Sequence, residues 1–300
     1  MRAFVTGATG YIGRRLCTSL VDDGGTVHAL VRPSSKCDQL PGEVVCHVYD
    51  GSTASVLRAL EAAAPEAAFH LAAQVVPRNP DALEDIFEAN LLLGAQLLEG
   101  LGRGSSPALV NAGSFWQFDS EGKADPNTLY AATKRSFQTL IDYYARTRGL
   151  RAVTVILFDV YGPEDTRDKL LPTLLPHLGT GRRFPMTAGD QKMDLVHADD
   201  VVRGMVQAAR TARRLESPGH RVYALDSGRR VTVRELVRLL EALSGESLDA
   251  GWGDLDYRPD TIFEPVRGME RLSGWKTSID LEAGLRGVLP PHRRRANHGC

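Results

Sequence analysis

Along the first half of the chain, short runs of β-branched and other apolar residues alternate with longer stretches whose apolar positions recur every three or four residues. Two such periods in regular alternation predict βαβ units, and therefore a parallel sheet covered by helices on both faces. Strands are expected at Ala3–Thr6, Thr26–Val31, Val44–Val48, Ala67–Leu71, Ala108–Asn111 and Ala152–Phe158, and helices at Ile12–Asp22, Thr53–Ala63, Asp81–Leu101 and Leu129–Arg148. Past Tyr161-Gly-Pro163 the rhythm loosens into a Pro-punctuated helix (Lys169–Leu178), a short strand around Asp194–His197, a helix from Asp199, a strand Val222–Leu225 and a helix from Thr232 to Leu243. These pieces predict a second, smaller lobe built from non-contiguous segments. The expected fold class is α/β: a doubly wound parallel sheet of Rossmann type with a smaller carboxy-terminal α/β domain. Residues 290–300 carry two prolines, three consecutive arginines and no apolar face, which reads as a flexible tail.

Composition removes several alternatives. Three hundred residues, 43% hydrophobic and 24% charged, supply one or two sizeable cores and exclude a disordered chain. With 36 Lys and Arg against 37 Asp and Glu, the net charge of −1 gives no global field to attract nucleic acid or an anionic membrane. No apolar run approaches the roughly 18 residues of a membrane helix, and the chain opens in a strand pattern rather than a secretory signal. The expectation is a soluble, cytoplasmic protein with neither nucleic-acid nor membrane partner. Cys17, Cys37, Cys46 and Cys300 lack CxxC spacing, so reduced thiols and no metal site are expected.

The first strand runs into Thr6-Gly7-Ala8-Thr9-Gly10-Tyr11-Ile12-Gly13, and a helix follows at once with apolar Ile12, Leu16 and Leu20. A bare glycine triplet serves equally as a tight structural turn; its place on the first βα turn is what points to a dinucleotide. Gly7 can take the turn, Gly10 can let a pyrophosphate approach, Gly13 can let the helix pack closely, and the helix N-terminus offers free N–H groups. The spacing is GxxGxxG rather than the commoner GxGxxG. After the second strand, Arg32 stands in Val31-Arg32-Pro33-Ser34-Ser35 without a neighbouring carboxylate. A basic residue here accepts the 2′-phosphate of NADP, where an acidic one would hold the ribose of NAD, so NADP(H) is favoured over NAD(H), with Ser34 and Ser35 as neutral donors; a solvated surface arginine is the alternative. Asp50, after the third strand, suits the adenine amino group or a turn with Gly51.

Tyr130-Ala-Ala-Thr-Lys134 opens a helix after Asp125-Pro-Asn-Thr128, so Tyr130 and Lys134 share a face one turn apart. An ammonium near a phenol favours the phenolate and is expected to lower the Tyr pKa from about 10, suiting it to proton transfer. Ser114, at the carboxy-terminal end of the fifth strand in Asn111-Ala-Gly-Ser-Phe-Trp-Gln117, stands at the edge where open α/β sheets hold ligands. Each element alone is common; the ordered combination is specific.

With these motifs the chain resembles the extended short-chain dehydrogenase/reductases, the NAD-dependent epimerase/dehydratase family that works on nucleotide sugars. The resemblance spans about residues 2 to 288 and includes Phe69-His-Leu-Ala-Ala73, Asn90, Asp159-Val-Tyr-Gly-Pro163, Asp194-Leu-Val-His-Ala-Asp199-Asp200, Leu272-Ser-Gly-Trp275 and Leu281-Glu-Ala-Gly284-Leu. It implies a dinucleotide domain at 1–161 plus 199–226, a nucleotide-sugar domain at 162–198 plus 227–289, and a cleft between them. It further implies Tyr130 as acid/base, Lys134 on the nicotinamide ribose and Ser114 on the substrate oxygen. Cofactor contacts are expected at Gly7, Thr9, Gly10, Tyr11, Ile12, Gly13, Arg32, Ser34, Ser35, Asp50, Leu71, Ala72, Ala73, Asn90 and Lys134.

Several departures from the family pattern limit what carries over to this chain. Members usually end the segment after strand five in Val-Tyr-Gly; counted against that form, Gly113 rather than Ser114 takes the serine's place. The segment here is closer to the NTGTxWQ form of some sugar 4-ketoreductases. The usual arginines before the strand-six motif and before Asp194 are Ile156 and Met193, which leaves Arg182, Lys192 and Arg258 as candidates for the nucleotide diphosphate. A 4,6-dehydratase would carry an Asp-Glu pair where this chain has Phe115 and Trp116, which cannot move protons but can pack a sugar ring, as can Phe158. The resulting expectation is NADPH-dependent reduction of the C4 keto group of a TDP- or CDP-linked 4-keto-6-deoxyhexose, with a nucleotide-sugar 4-epimerase and a non-catalytic dinucleotide-binding regulator as alternatives. The long helices Asp81–Leu101 and Leu129–Arg148 resemble the pair that family members use to dimerise, so a homodimer is expected.

Overall fold

The computed structural model describes residues 1–75, 83–103 and 107–290; the expectations for residues 81–82 and for the tail beyond 290, Cys300 included, lie outside the described residues. In chain order the strands are β1 (Arg2–Thr6), β2 (Thr26–Val31), β3 (Val45–Val48), β4 (Ala67–His70), β5 (Ala108–Ser114), β6 (Arg151–Leu157), β7 (Asp159–Tyr161), β8 (Phe184–Met186), β9 (Lys192–His197), β10 (Gly219–Leu225), β11 (Arg230–Thr232) and β12 (Ala250–Trp252). The α-helices are α1 (Tyr11–Asp22), α2 (Thr53–Ala63), α3 (Leu83–Phe87), α4 (Leu93–Leu101), α5 (Leu129–Arg148), α6 (Leu170–Leu174), α7 (Ala198–Arg213), α8 (Val233–Ser244) and α9 (Leu281–Val288).

Seven strands form one parallel sheet in the order β10-β6-β5-β4-β1-β2-β3. The order reverses between β1 and β4, and at such a switch point the carboxy-terminal ends of the strands open a crevice. Each face of the sheet has its own core. Along β1, Ala3 and Val5 pack with Leu16, Leu20, Val201 and Met205 of α1 and α7, while Phe4 packs with Val56, Leu60, Leu97, Phe137 and Ile141 of α2, α4 and α5. Burial on both sides explains why the strands read as continuous apolar runs without alternation.

A third core holds the smaller lobe: Leu171, Leu174 and Leu178 meet Leu195, Val231, Leu236, Leu240, Leu281 and Leu285. Its two small sheets have the orders β11-β9-β7 and β12-β8. The strands β8, β11 and β12, three residues each, escape a period-two reading because a run that short shows no period.

Local chemistry sets the helix ends. The Thr128 hydroxyl accepts from the Ala131 amide at the start of α5, and Gly149, at φ +71°, ends that helix in the left-handed region. Thr232 and Glu235 form a reciprocal capping box on α8. Where the sequence predicted one helix from Asp81 to Leu101, a π-turn over Glu88–Leu92 separates α3 from α4 and turns Asn90 inward. Similarly, the helix expected at Lys169–Leu178 divides into α6 and a 3₁₀ turn at Leu175–His177, with Pro176 inside the turn.

Candidate active site

A cavity of about 560 Å³ opens at the carboxy-terminal edge of the large sheet. Gly7, Gly10, Tyr11, Ile12 and Gly13 form one wall, Leu71 and Ala73 continue it, and Ser114, Phe115, Trp116, Tyr130 and Lys134 close the far side. The sequence-predicted turn and the predicted Ser, Tyr and Lys thus share one space. A larger groove of about 800 Å³ lies at the opposite edge, around the Arg213–Glu66 ion pair, and holds none of these groups.

The glycine turn fits a dinucleotide sterically. Gly7 has φ +72°, and a Cβ there would stand 2.6 Å from the Ala72 amide nitrogen. A Cβ on Gly13 would meet the Gly7 carbonyl oxygen at 2.1 Å, whereas one on Gly10 would meet only that oxygen, at 3.2 Å, and otherwise open space. Gly10 begins α1 without a side-chain cap, so the first N–H groups of the helix face the opening. Thr9 lies on the same turn, partly exposed.

The other predicted cofactor residues divide. Arg32 is exposed just past β2, and its amide donates to the Ser35 hydroxyl at 3.1 Å, which shapes the turn carrying Ser34. Asp50 accepts from the amide and hydroxyl of Ser52, which hold its carboxyl down at about 2, with Arg58 nearby. Its visible work is to organise the entry to α2. Ala72 backs Gly7 and donates to the Thr6 hydroxyl. Asn90 is saturated: it brackets the backbone of Gln74 and donates to the Thr133 hydroxyl, so it fixes the loop after β4 from behind rather than lining the cavity.

Ser114 closes β5 and caps the short turn that follows, accepting from the Trp116 amide while the Gln117 side chain receives the Ser114 amide. Phe115 stacks on Phe158 with centroids 5.3 Å apart, and Trp116 meets Tyr130 edge-on at 6.2 Å. Phe115 and Phe158 serve both the core and the cavity wall.

The phenol of Tyr130 departs from expectation. Burial pushes it up to about 12, and the Ser114 hydroxyl bonded to it offsets only part of the rise. Lys134, itself buried, is pushed down to about 8 by the same desolvation and is still mostly protonated at neutral pH. Before any ligand is bound, Tyr130 therefore carries its proton firmly. Beneath the pair lies His70, wholly buried, with Nδ1 2.8 Å from the Thr6 hydroxyl and Nε2 without a partner. Burial, with Lys134 adding to it, holds the imidazole at about 3 and hence neutral, so no second cation competes with Lys134.

The three proposed diphosphate ligands are not among the residues that line the cavity. Lys192 is bound to Glu264 at 2.8 Å, and Arg182 and Arg258 are exposed on the smaller lobe outside the lining. The bases that do line it are Lys134, Arg167 and Lys169. Arg167 is held by Asp165 and lies over the Tyr11 ring at 4.4 Å, and Lys169 lies over Trp116 at 5.4 Å. Sequence reasoning missed these two because the bend after β7, which brings them back over the cavity, has no periodic signature; basic residues in the six positions after Tyr-Gly-Pro163 were the available signal.

The family model described as the NAD dependent epimerase/dehydratase family matches residues 3–230. The CDP-abequose synthase of Yersinia pseudotuberculosis is 24% identical over 268 residues, covering 88% of this chain and 92% of that protein. A probable UDP-glucuronate 4-epimerase of Rhizobium meliloti is 27% identical, covering 95% of each. Among solved structures, the UDP-glucose 4-epimerase of Brucella ovis in complex with NAD superposes with a TM-score of 0.82 over 98% of both chains at 21% identity, which establishes a shared fold. A family match over most of the chain, with the glycine turn and the Ser, Tyr and Lys of one cavity in place, makes this protein a member of the NAD-dependent epimerase/dehydratase family.

Proposed function

We propose that the protein reduces the C4 keto group of a nucleotide-linked (TDP- or CDP-) 4-keto-6-deoxyhexose with NADPH, as in deoxysugar biosynthesis. The observation that carries this reading is the company of Tyr130: Ser114 and Lys134 accompany it in the cavity, while Phe115 and Trp116 hold the places where dehydration would need an acid and a base. Similarity to CDP-abequose synthases supports a CDP- or related nucleotide sugar. Residues 1–161 with 199–226 would hold the dinucleotide, and 162–198 with 227–289 the nucleotide sugar.

The dinucleotide, when bound, supplies a hydride to the carbonyl carbon of the sugar. Tyr130, protonated at neutral pH, gives its proton to the carbonyl oxygen as negative charge develops there. Ser114 hydrogen-bonds the same oxygen and orients it. Lys134, its nitrogen 5.9 Å from the Tyr130 ring centroid, reduces the cost of leaving a phenolate behind. The aromatic walls exclude water and present flat faces to the sugar ring. Arg32, a basic residue exposed just past β2 with no neighbouring carboxylate in the sequence, supports the choice of NADPH.

Purified protein mixed with NADPH and TDP-4-keto-6-deoxyglucose should consume the reduced nicotinamide absorbance faster than with NADH. The second reading, a 4-epimerase, draws on the 27% identity to a probable UDP-glucuronate 4-epimerase over 95% of both chains. That enzyme would retain its dinucleotide through purification and need no added NADPH. Exposed Phe87 and Leu92 beside α4, with Tyr143 on α5, support a homodimer through those helices.

A further inference from the structure

After Tyr161 the chain enters the smaller lobe as a strap, residues 162–169, that is neither helix nor strand. From Glu164 to Lys169 it carries no apolar side chain and none of its residues is buried, so no core of its own fixes its place. Its packing on the smaller lobe is loose: a cavity of about 130 Å³ is lined by Gly162, Asp165 and Thr166 of the strap together with Leu175 and Val288. Arg167 donates to both oxygens of Asp165 and to the Val160 carbonyl, each at 2.8 Å, and these bonds close the strap on its own start. The ties to the larger lobe run to the glycine turn. Tyr11, the first residue of α1, donates from its phenol to the Pro163 carbonyl at 3.1 Å, and Arg15, one turn on, donates to the same oxygen. The Arg167 guanidinium lies over the Tyr11 ring at 4.4 Å, and that of Arg15 over the same ring at 4.8 Å. A Cβ on Gly162 would stand 2.8 Å from the Tyr11 phenol oxygen, so a glycine is what lets the strap come this close.

The geometry points to Tyr11 as a positioning residue: its ring and phenol hold the strap, and with it Arg167 and Lys169, over the cavity, and a dinucleotide bound at the glycine turn tightens that hold. The inference rests on a dinucleotide at that turn and not on which reaction follows. Tyr11 opens the helix whose free N–H groups receive a diphosphate, so the ligand fixes the turn from which the ring projects. Negative charge at the same place attracts the two guanidinium groups that lie over the ring. Both effects act on one side chain. Lys169, over Trp116 at 5.4 Å, gives the strap a separate contact with the larger lobe that does not pass through the glycine turn. A strap without apolar anchors therefore takes its order from the cofactor turn across the cleft, and occupancy of that turn is transmitted to the cavity's far wall through Tyr11.

The test is limited tryptic digestion of the native protein, with cleavage after Lys169 followed by mass spectrometry, alone and with saturating NADP or NAD. Cleavage at a folded site tracks local opening, so in the wild type a saturating dinucleotide should slow it about threefold or more. Tyr11→Leu should speed cleavage of the ligand-free protein about tenfold, the scale of one cation–π contact and one hydrogen bond. It should also lose the dinucleotide's protection while still binding NADPH by fluorescence titration. Tyr11→Phe, which keeps the ring, should stay within about threefold of the wild type. Cleavage after Arg238 in α8 should be the same in all three, whereas general loosening of the fold would raise it too. Protection that persists in Tyr11→Leu means that the ligand covers the strap directly, and overturns the inference; so does a wild-type strap indifferent to dinucleotide. If neither NADPH nor NADH binds the wild type, the inference falls together with the cofactor assignment. Should Tyr11→Leu not fold, Arg167→Gln, which leaves the glycine turn intact, should show the same faster cleavage after Lys169 and the same lost protection, and wild-type behaviour in it is equally decisive against the inference.

Discussion

The ammonium of Lys134 lies 5.9 Å from the ring centroid of Tyr130, one helical turn below it, yet the phenol stands near 12 rather than below 10. Desolvation of the phenolate dominates, and the hydroxyl of Ser114 offsets only part of it. The pair is thus set in the direction of proton donation before substrate arrives. Tyr130→Phe should lower turnover by about 10²–10⁴-fold while leaving NADPH affinity within about twofold by fluorescence titration. An equal loss of both would remove Tyr130 from the chemistry.

Lys134 carries a stability cost with a definite pH signature. Its folded pKa lies below the unfolded value, so between about pH 8 and pH 10 the unfolded chain binds more protons and stability rises with pH. Lys134→Met should stabilise the dinucleotide-free protein by about 1–3 kcal/mol at pH 7, with the gain shrinking by pH 9.5 and activity falling throughout. Urea unfolding at the two pH values checks it; a gain independent of pH points to packing alone.

Arg32 is exposed just past β2. Arg32→Asp should raise the KM for NADPH by about tenfold or more, the scale of one charge-assisted contact, and leave that for NADH within about threefold. Parallel rises for both cofactors would place Arg32 outside the ribose site.

At Gly13 a methyl group would press on backbone from two sides, the Gly7 carbonyl oxygen at 2.1 Å and the Ala8 Cα at 2.8 Å. Neither can swing aside as a side chain would. Gly13→Ala should cost about 2–4 kcal/mol by thermal unfolding and weaken dinucleotide binding more than Gly24→Ala. Gly24 is the control: a Cβ there meets open space, and its φ of +72° carries a modest backbone cost alone.

What the sequence disclosed, and what it withheld, follows from range. The large sheet was readable because its strands are short apolar runs separated by stretches of helical period, and the glycine turn, Ser114, Tyr130 and Lys134 were readable because each sits at a fixed place on a regular element. Asn90 is different: only the π-turn at Glu88–Leu92 rotates it toward Gln74 and Thr133, and nothing in Glu88-Ala-Asn-Leu-Leu92 announces a widened turn. The partner of Lys192, Glu264, lies 72 positions away, so the ion pair between them could not be read from the local sequence. The 12 of Tyr130 and the 8 of Lys134 depend on desolvation, a property of the assembled cavity and not of any short segment.

The seventh strand of the large sheet, β10, arrives only after the chain has already built much of the smaller lobe, and α9 returns to that lobe after Leu272 and Trp275 have packed on the larger core. The polypeptide is therefore stitched back and forth across the cleft. A fragment ending at residue 161 would leave the β6 edge bare from Arg151 to Leu157, where Gly219–Leu225 pairs in the whole protein. The edge of the large sheet is thus completed by a strand that follows, in the chain, most of the smaller lobe.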